Sequence, residues 1–331
     1  MNQAGIDIAS ETFDVQKRCG ESLSHQTFSN TRSGHRKAIE WLRRGAKRVR
    51  VCMEATGIYH LQFALTLSRA ADVELMVINP RAARRFAEAQ MVRGKTDKVD
   101  AKVLLHYLER MQFVLWCAPS EQHLVLQSLA HRLSQLTKER VRECSRLHAV
   151  KRAGAHTHEA QNDIQVHIRF LQRRYQQLEA KAIALMQQQS RMAQDLELVD
   201  TVPGFASSSA MKVLAEVGVL PKDLEPQQWV AQAGLDPKPI ESGTSVNSPR
   251  RISKQGNARL RAVLFFPSMV ACQRDPNVRA FYEKLIARGK TKRAAQTAVM
   301  RKLLLSIWGI LEHRQPWDGA KFYRLPEPGS A

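Results

Sequence analysis

Four carboxylates stand at positions where a carboxylate needs a reason. Asp7 lies inside the apolar run GIDIAS, and Glu54 closes a second such run, VRVCMEATG. A charge in an apolar run is costly unless it is hydrogen-bonded, paired or bound to a metal. The plain alternative is a strand-end carboxylate that faces water or caps a turn. Asp97 and Asp100, in KTDKVDAKVL, are three apart at the start of a predicted helix and so share a face. An N-cap role would explain one of them, or Thr96 would take it, but it does not explain both. Two strands delivering carboxylates to one sheet edge set like charges side by side, which raises a pKa unless a cation lies between them. Asp7, Glu54, Asp97 and Asp100 therefore read as an all-oxygen set for one or two Mg²⁺ ions, with Mn²⁺ as a substitute. Such ions keep several waters, accept phosphate oxygens and stabilise attacking and leaving oxygens in an in-line displacement. Glu11, at the turn, and Asp14, on the returning strand, rank below Asp7 as competitors.

The elements that must position these groups follow from the hydrophobic pattern. Up to Pro119, β-like runs (AGIDIA, TFDVQ, VRVCMEA, VELMVI) alternate with helical ones near His35–Arg44 and His60–Arg69, and another helix follows the last run. That order predicts an α/β domain, residues 1–119, with a mixed sheet and helices on its faces. From Ser120 the pattern turns to long helix. Leu126, Leu129, Leu133 and Leu136 mark a first one. A heptad-like series from Ile164 to Leu196, interrupted only at Gln189, marks a second. The polar stretch Gly154–His158 separates them, which predicts an antiparallel hairpin or a subunit-pairing arm over residues 120–198. His148, His156, His158 and His167 near the bend lack acidic company, so the stripe reads as packing rather than metal binding.

A mostly helical region, residues 199–315, comes next. It opens on TVPGF, whose turn and following helix start could offer backbone N–H groups to a phosphate or be an ordinary helix beginning. A loop from Asp236 to Gln255 leads to helices near Asn257–Cys272, Asn277–Ala287 and Lys292–Glu312, and the tail 316–331 reads as irregular.

Composition narrows the partner. The chain of 331 residues has 51 Lys and Arg against 31 Asp and Glu, a formal charge of +20. Pro249 to Lys302 contributes fourteen basic residues against only Asp275 and Glu283, a localised surface suited to a polyanion. The cysteines Cys19, Cys52, Cys117, Cys144 and Cys272 have no metal-ligand spacing and read as isolated reduced thiols. No stretch approaches a membrane span and the N-terminus lacks the marks of a signal peptide, so the expectation is a cytoplasmic protein with no membrane partner.

With GIDIAS, MEATG and GKTDKVDA in this order, followed by TVPGF, WVAQAGLDPKPIESGTSV and RRISKQGNARLR, the chain resembles the DEDD-type insertion-sequence transposases of family 110, the 110/1111 group. The resemblance spans nearly the whole length. It implies an RNase H/RuvC-like N-terminal domain whose carboxylates hold Mg²⁺, a coiled-coil assembly arm, and a C-terminal transposase domain with a serine nucleophile. Residue by residue it places Asp7, Glu54, Asp97 and Asp100 on the family tetrad and Ser242, in ESGTS, on the nucleophile; Ser245, Ser248 and Ser253 lie close enough to be rivals. Arg250, Arg251 and Lys254 then read as phosphate clamps. Asn257, Arg259 and Arg261 read as nucleic-acid-binding residues at a helix start, where Asn also caps.

The same resemblance implies donor and target DNA as substrates, a noncoding bridge RNA that pairs with both, and dimers assembling into a tetramer beside the nucleoid. The function it points to is a recombinase that cuts and rejoins DNA through a phosphoserine link with Mg²⁺ assistance. Two rivals make different predictions: a junction-type nuclease using water would survive loss of Ser242, and a noncatalytic nucleic-acid-binding protein would ignore Asp7→Asn.

Overall fold

The structure is a computed structural model, and it describes residues 1–55, 57–91, 96–238, 241–242, 246–247 and 251–325, without the side chains of residues 155, 241, 242, 246 and 247. The chain forms two compact units, Met1–Ala118 and Pro119–Ala331.

The first unit is built on the strands β1 (Asn2–Ile8), β2 (Thr12–Cys19), β3 (Ser22–Ser29), β4 (Val49–Glu54) and β5 (Val73–Ile78). Its helices are α1 (Arg32–Arg43), α2 (Leu61–Ser68), α3 (Pro80–Ala89) and α4 (Asp97–Arg110). The sheet order is β3-β2-β1-β4-β5. Tight connections make β1, β2 and β3 antiparallel, whereas helical crossovers make β4 and β5 parallel to β1. β3 was not foreseen from the sequence. SLSHQTFS buries only Phe28 and sits at the sheet edge, so it carries no apolar alternation to read.

Period-two alternation sorts the sheet's two faces. Ala4, Ile6, Ile8, Val49, Val51, Met53, Val73 and Leu75 pack with Ala38 and Leu42 of α1 and with Phe63 and Leu67 of α2. On the opposite face, Cys52, Met76 and Ile78 pack with Ala83 of α3 and with Leu104 and Leu108 of α4. Gly5 belongs to that second face. A Cβ there would fall inside the Ala101 carbonyl and the Leu105 amide, so α4 lies directly on β1 because residue 5 has no side chain.

The second unit is helical. α5 (Glu121–Arg152) and α6 (His158–Gln187) are joined through a short 3₁₀ turn, Ala155–Thr157, and fold back on each other. The expected single second helix is in fact two. Gln189, the position that broke the heptad rhythm, has extended φ −115° and ψ 110°, and α7 (Ser190–Asp200) begins after it. α8 (Ser207–Val217) and α9 (Pro226–Ala233) follow. The turn before α8 packs closely on a later helix. Gly204 has φ 86°, and a Cβ on it would fall inside the carbonyl oxygen of Pro267.

The expected loop after Asp236 contains two short antiparallel ladders, β6 (Pro237–Lys238) with β9 (Arg251–Ile252) and β7 (Glu241–Ser242) with β8 (Val246–Asn247). α10 (Ala258–Arg274), α11 (Pro276–Ala287) and α12 (Lys292–His313) complete the core with Leu260, Leu264, Val278, Val299, Leu303 and Ile307. Part of the expected irregular tail is helical. α13 (Gly319–Phe322) carries Phe322 into that core at 1% exposure, because an aromatic side chain gains too much from burial to stay in water. Among the described residues no helix is long and apolar enough to cross a membrane, and all five cysteines are free.

Candidate active site

Asp7 is next to last in β1, on the same face as Gly5 and therefore toward α4. Glu54 ends the adjacent parallel strand, one residue beyond the Ile6–Met53 pair and two beyond Cys52, whose face is also the α4 face. α4 runs back along β1, so that Ala101 and Leu105 meet Gly5 while its N-terminus lies near the C-terminal end of the strand. Asp97 and Asp100 are in that first turn. Thr96 is the N-cap, its side chain accepting from the Val99 amide at 3.3 Å, so neither aspartate is needed for capping. The positive end of the helix favours carboxylates at both positions.

Two strand ends and one helix start thus bring the four predicted carboxylates into one electrostatic neighbourhood. Asp7 registers this. Burial, then Asp100, Asp97, Glu54 and Asp14, push its carboxyl from the ordinary 3.8 to about 7. Asp14, directly opposite Asp7 across the β1–β2 ladder, is otherwise engaged: it accepts from His25 Nε2 at 2.6 Å and from Thr27 Oγ1 at 2.7 Å. Those two partners lie on the unforeseen β3, where their spacing of two was the available signal.

The donor set suits a hard divalent cation, since it is all carboxylate oxygen and a cation would offset both the burial and the like charges that raise Asp7. Among the described residues, however, no three His, Cys, Asp or Glu side chains close to ligand distance around one point. The two observations report different ranges. Electrostatic coupling acts over several ångströms, whereas a ligand sphere requires oxygens drawn to about 2.1 Å from an ion. Residues 56 and 92–95, which flank Glu54 and precede Asp97, lie outside the described residues.

In the second unit, Ser242 pairs through its backbone with Val246 in the β7–β8 ladder, and its side chain lies outside the described atoms, as do Ser245, Ser248 and Arg250 entirely. Arg251, Lys254 and Arg259 are exposed. Lys254 holds a left-handed φ of 53°, with its amide donating to the Gly234 carbonyl at 3.1 Å. The rival Ser253 has an anchoring role: its hydroxyl donates to Asp236 Oδ1 at 2.6 Å. Arg261 braces the fold by donating to the Ala233 carbonyl at 2.7 Å. Asn257 is also engaged structurally. Its Oδ1 caps α10 at the amides of Arg259 and Leu260, and its Nδ2 donates to Glu216 Oε2 at 2.5 Å. Sequence reading passed over Glu216 altogether, because a carboxylate in a helix usually faces water.

A family model described as "Transposase", of the DEDD IS110 type, matches residues 4–152, and one described as "Transposase IS116/IS110/IS902 family" matches residues 196–283. The chain belongs to the IS110 family of transposases. Among the relatives of this chain, the pilin gene-inverting protein of Moraxella bovis is 28% identical over 323 residues, which cover 95% of this chain and 97% of that protein. Its counterpart in Moraxella lacunata is also 28% identical over 323 residues, with the same shares of 95% and 97%. The insertion element IS110 uncharacterized 43.6 kDa protein of Streptomyces coelicolor is 30% identical over 114 residues, 34% of this chain and 28% of that one. The first family match holds all four carboxylates, and the second holds Ser242 and the basic ribbon base.

Proposed function

We propose that this IS110-family chain cuts and rejoins donor and target DNA through a covalent serine–phosphate link, using Asp7, Glu54, Asp97 and Asp100 to hold Mg²⁺. The observation that carries the reading is the gathering of these carboxylates from β1, β4 and the start of α4 around Asp7, whose carboxyl is pushed up to about 7 first by burial and then by their charges. Bound there, Mg²⁺ would supply Lewis-acid polarisation of a phosphate oxygen and neutralise charge in an in-line displacement. The first unit is then a RuvC-like domain whose strand ends fix the carboxylates.

Ser242 is the nucleophile in this reading. Its hydroxyl oxygen attacks the phosphorus as the bond to the 3′ or 5′ deoxyribose oxygen breaks, and the serine proton ends on that departing oxygen as a free hydroxyl, so that one phosphodiester replaces another. Attack by the released hydroxyl of a second strand reverses these steps and frees the serine, which is why no nucleotide cofactor is required. Arg250, Arg251, Lys254 and Arg259 hold the phosphate backbone, while Asn257 caps α10 and Arg261 braces its first turn against the Ala233 carbonyl. The names of the Moraxella relatives add inversion to insertion and excision as outcomes of such cutting and rejoining.

The formal charge of +20, with its excess between Pro249 and Lys302, supports binding of a guide RNA along with two DNA duplexes. The domains read as 1–119 metal-binding, 120–198 assembly arm, 199–315 serine-bearing and 316–331 tail, with α5 and α6 as a coiled-coil arm for dimers and a tetramer, and the protein acting in the cytoplasm at the nucleoid.

The deciding test combines purified protein, its co-purified RNA, matching donor and target duplexes and Mg²⁺, and looks for protein covalently bound to DNA by denaturing gel and mass spectrometry. The expected adduct maps to Ser242 and disappears in Ser242→Ala and Asp7→Asn. Cleavage with no adduct would instead mean a water-using nuclease, and unchanged DNA binding with no cleavage under any condition would mean a noncatalytic binder.

A further inference from the structure

Glu216 is a charged side chain buried to 3% exposure, with no part in the chemistry above. It sits next to last in α8, where both carboxylate oxygens are taken. Oε1 meets His131 Nε2 of α5 at 3.0 Å, and Oε2 accepts from Asn257 Nδ2 at 2.5 Å. An ionised carboxylate only accepts, so Nε2 carries the proton in the His131 contact. Burying a carboxylate is tolerated only when such partners are complete, and removing one leaves the other stranded.

What Glu216 holds is the foot of the ribbon that bears Ser242. The chain leaves α9 and returns beside it. The Asn257 amide donates to the Gln232 carbonyl at 2.6 Å, the Lys254 amide to Gly234 at 3.1 Å, and Ser253 Oγ to Asp236 at 2.6 Å. The β6–β9 ladder closes the neck at Pro237–Ile252. These bonds sew the two legs to each other. Among the described side-chain bonds from residues 251–257, the one from Asn257 to Glu216 ties them to α8 and, through His131, to the long helix α5.

We propose that Glu216 is a positioning residue, pinning the base of the Ser242 ribbon to α5 through Asn257 on one oxygen and His131 on the other. The catalytic part of this inference rests on the serine reading above; the pin itself does not. It also gives the helix pair, as an assembly arm, a direct mechanical path to the nucleophile's ribbon.

An exchange of donors tests it. Asn257→Asp keeps the oxygen that caps α10 but sets a carboxylate against Glu216, breaking the pin without removing the cap. Glu216→Gln in the same chain returns an amide donor to residue 257 while its remaining oxygen still accepts from His131, so the double variant is satisfied at every atom. Hydrogen exchange of amides 251–262 in the full-length protein and the rate of adduct formation at saturating DNA are measured beside DNA affinity. Asn257→Asp is expected to speed exchange in that segment and, at saturating DNA, to slow adduct formation roughly tenfold or more. The double variant should recover most of both. Unchanged exchange in Asn257→Asp, or a double variant no better than that single one, overturns the proposal. If wild type forms no adduct but the exchange pattern breaks and recovers as described, the pin stands and the serine reading falls.

Discussion

The two halves of the candidate machinery are held in opposite ways. The carboxylates of the first unit come from the ends of two paired strands and the first turn of a helix pressed onto one of them, and Asp7 is half-buried among like charges. In the second unit, Arg251, Lys254 and Arg259 stand exposed at and just after the β6–β9 ladder, which pairs only two residues from each strand. Carboxylates that repel one another stay together only if a rigid scaffold imposes their proximity, so their site is built into a core. Cations that bind a polyanion repel weakly in water and need only a surface. A ribbon anchored at its foot can present a hydroxyl to a large substrate, provided the foot does not move.

That contrast can be broken most severely at Asp7. Asp7→Asn should reduce DNA cleavage roughly a hundred- to a thousand-fold in a Mg²⁺-dependent assay, because a charge that orients the phosphate is lost, while DNA affinity holds. Retained cleavage would show that the burial of Asp7 serves the fold alone. Next in size is Gly5→Ala, which alters no charge. Its methyl would collide with the α4 backbone, so denaturant titration should find about 3 kcal/mol of lost stability and assays a loss of cleavage, as Asp97 and Asp100 shift away from Asp7. Full stability in that variant would mean that α4 is not pressed onto the strand.

The electrostatic half of the comparison is sharpened by pH. The carboxyl of Asp7 is raised to about 7 in the fold and ordinary in the unfolded chain, so the native state binds the proton more tightly. Stability of the metal-free protein from this group is therefore greatest below about pH 4 and declines as pH rises from 3.8 to about 7. Asp7→Asn should match wild type in thermal melts near the acid end and exceed it at pH 8, by on the order of 2 kcal/mol after allowance for the group's solvent-exposed side. Parallel melting curves at both ends of the range would remove the repulsion argument.

The smallest effects belong to the exposed cations. Arg251→Ala, Lys254→Ala and Arg259→Ala should each weaken DNA binding modestly and reduce the slope of log affinity against log salt by about 1. An unchanged slope for all three would move the DNA path elsewhere on the second unit.

Much of the first unit was legible because its signals are local. Apolar alternation marks β1, β4 and β5, and a carboxylate inside GIDIAS or at the end of VRVCME is conspicuous in one dimension. The i, i+3 spacing put Asp97 and Asp100 on one helical face, and the missing apolar residue at Gln189 fell where the helix does break. β3 stayed hidden because an edge strand is held by backbone bonds to β2 and needs no apolar pattern. The ladders within 237–252 and the burial of Phe322 were hidden for a related reason: each depends on partners distant in sequence.

The sequence by itself determined the family, the candidate carboxylates and the sign and place of the excess charge, since these are properties of residue type and spacing. Tertiary structure alone decided that α4 lies on Gly5 with its acidic start near Asp7, that Thr96 rather than an aspartate caps it, and that His25 and Thr27 occupy Asp14. It also decided that Asn257 faces inward to Glu216, 41 residues away, although its sequence position suggested only a helix start beside arginines. Burial and partnership depend on what the rest of the chain brings to a side chain, and that information is not local to the residue.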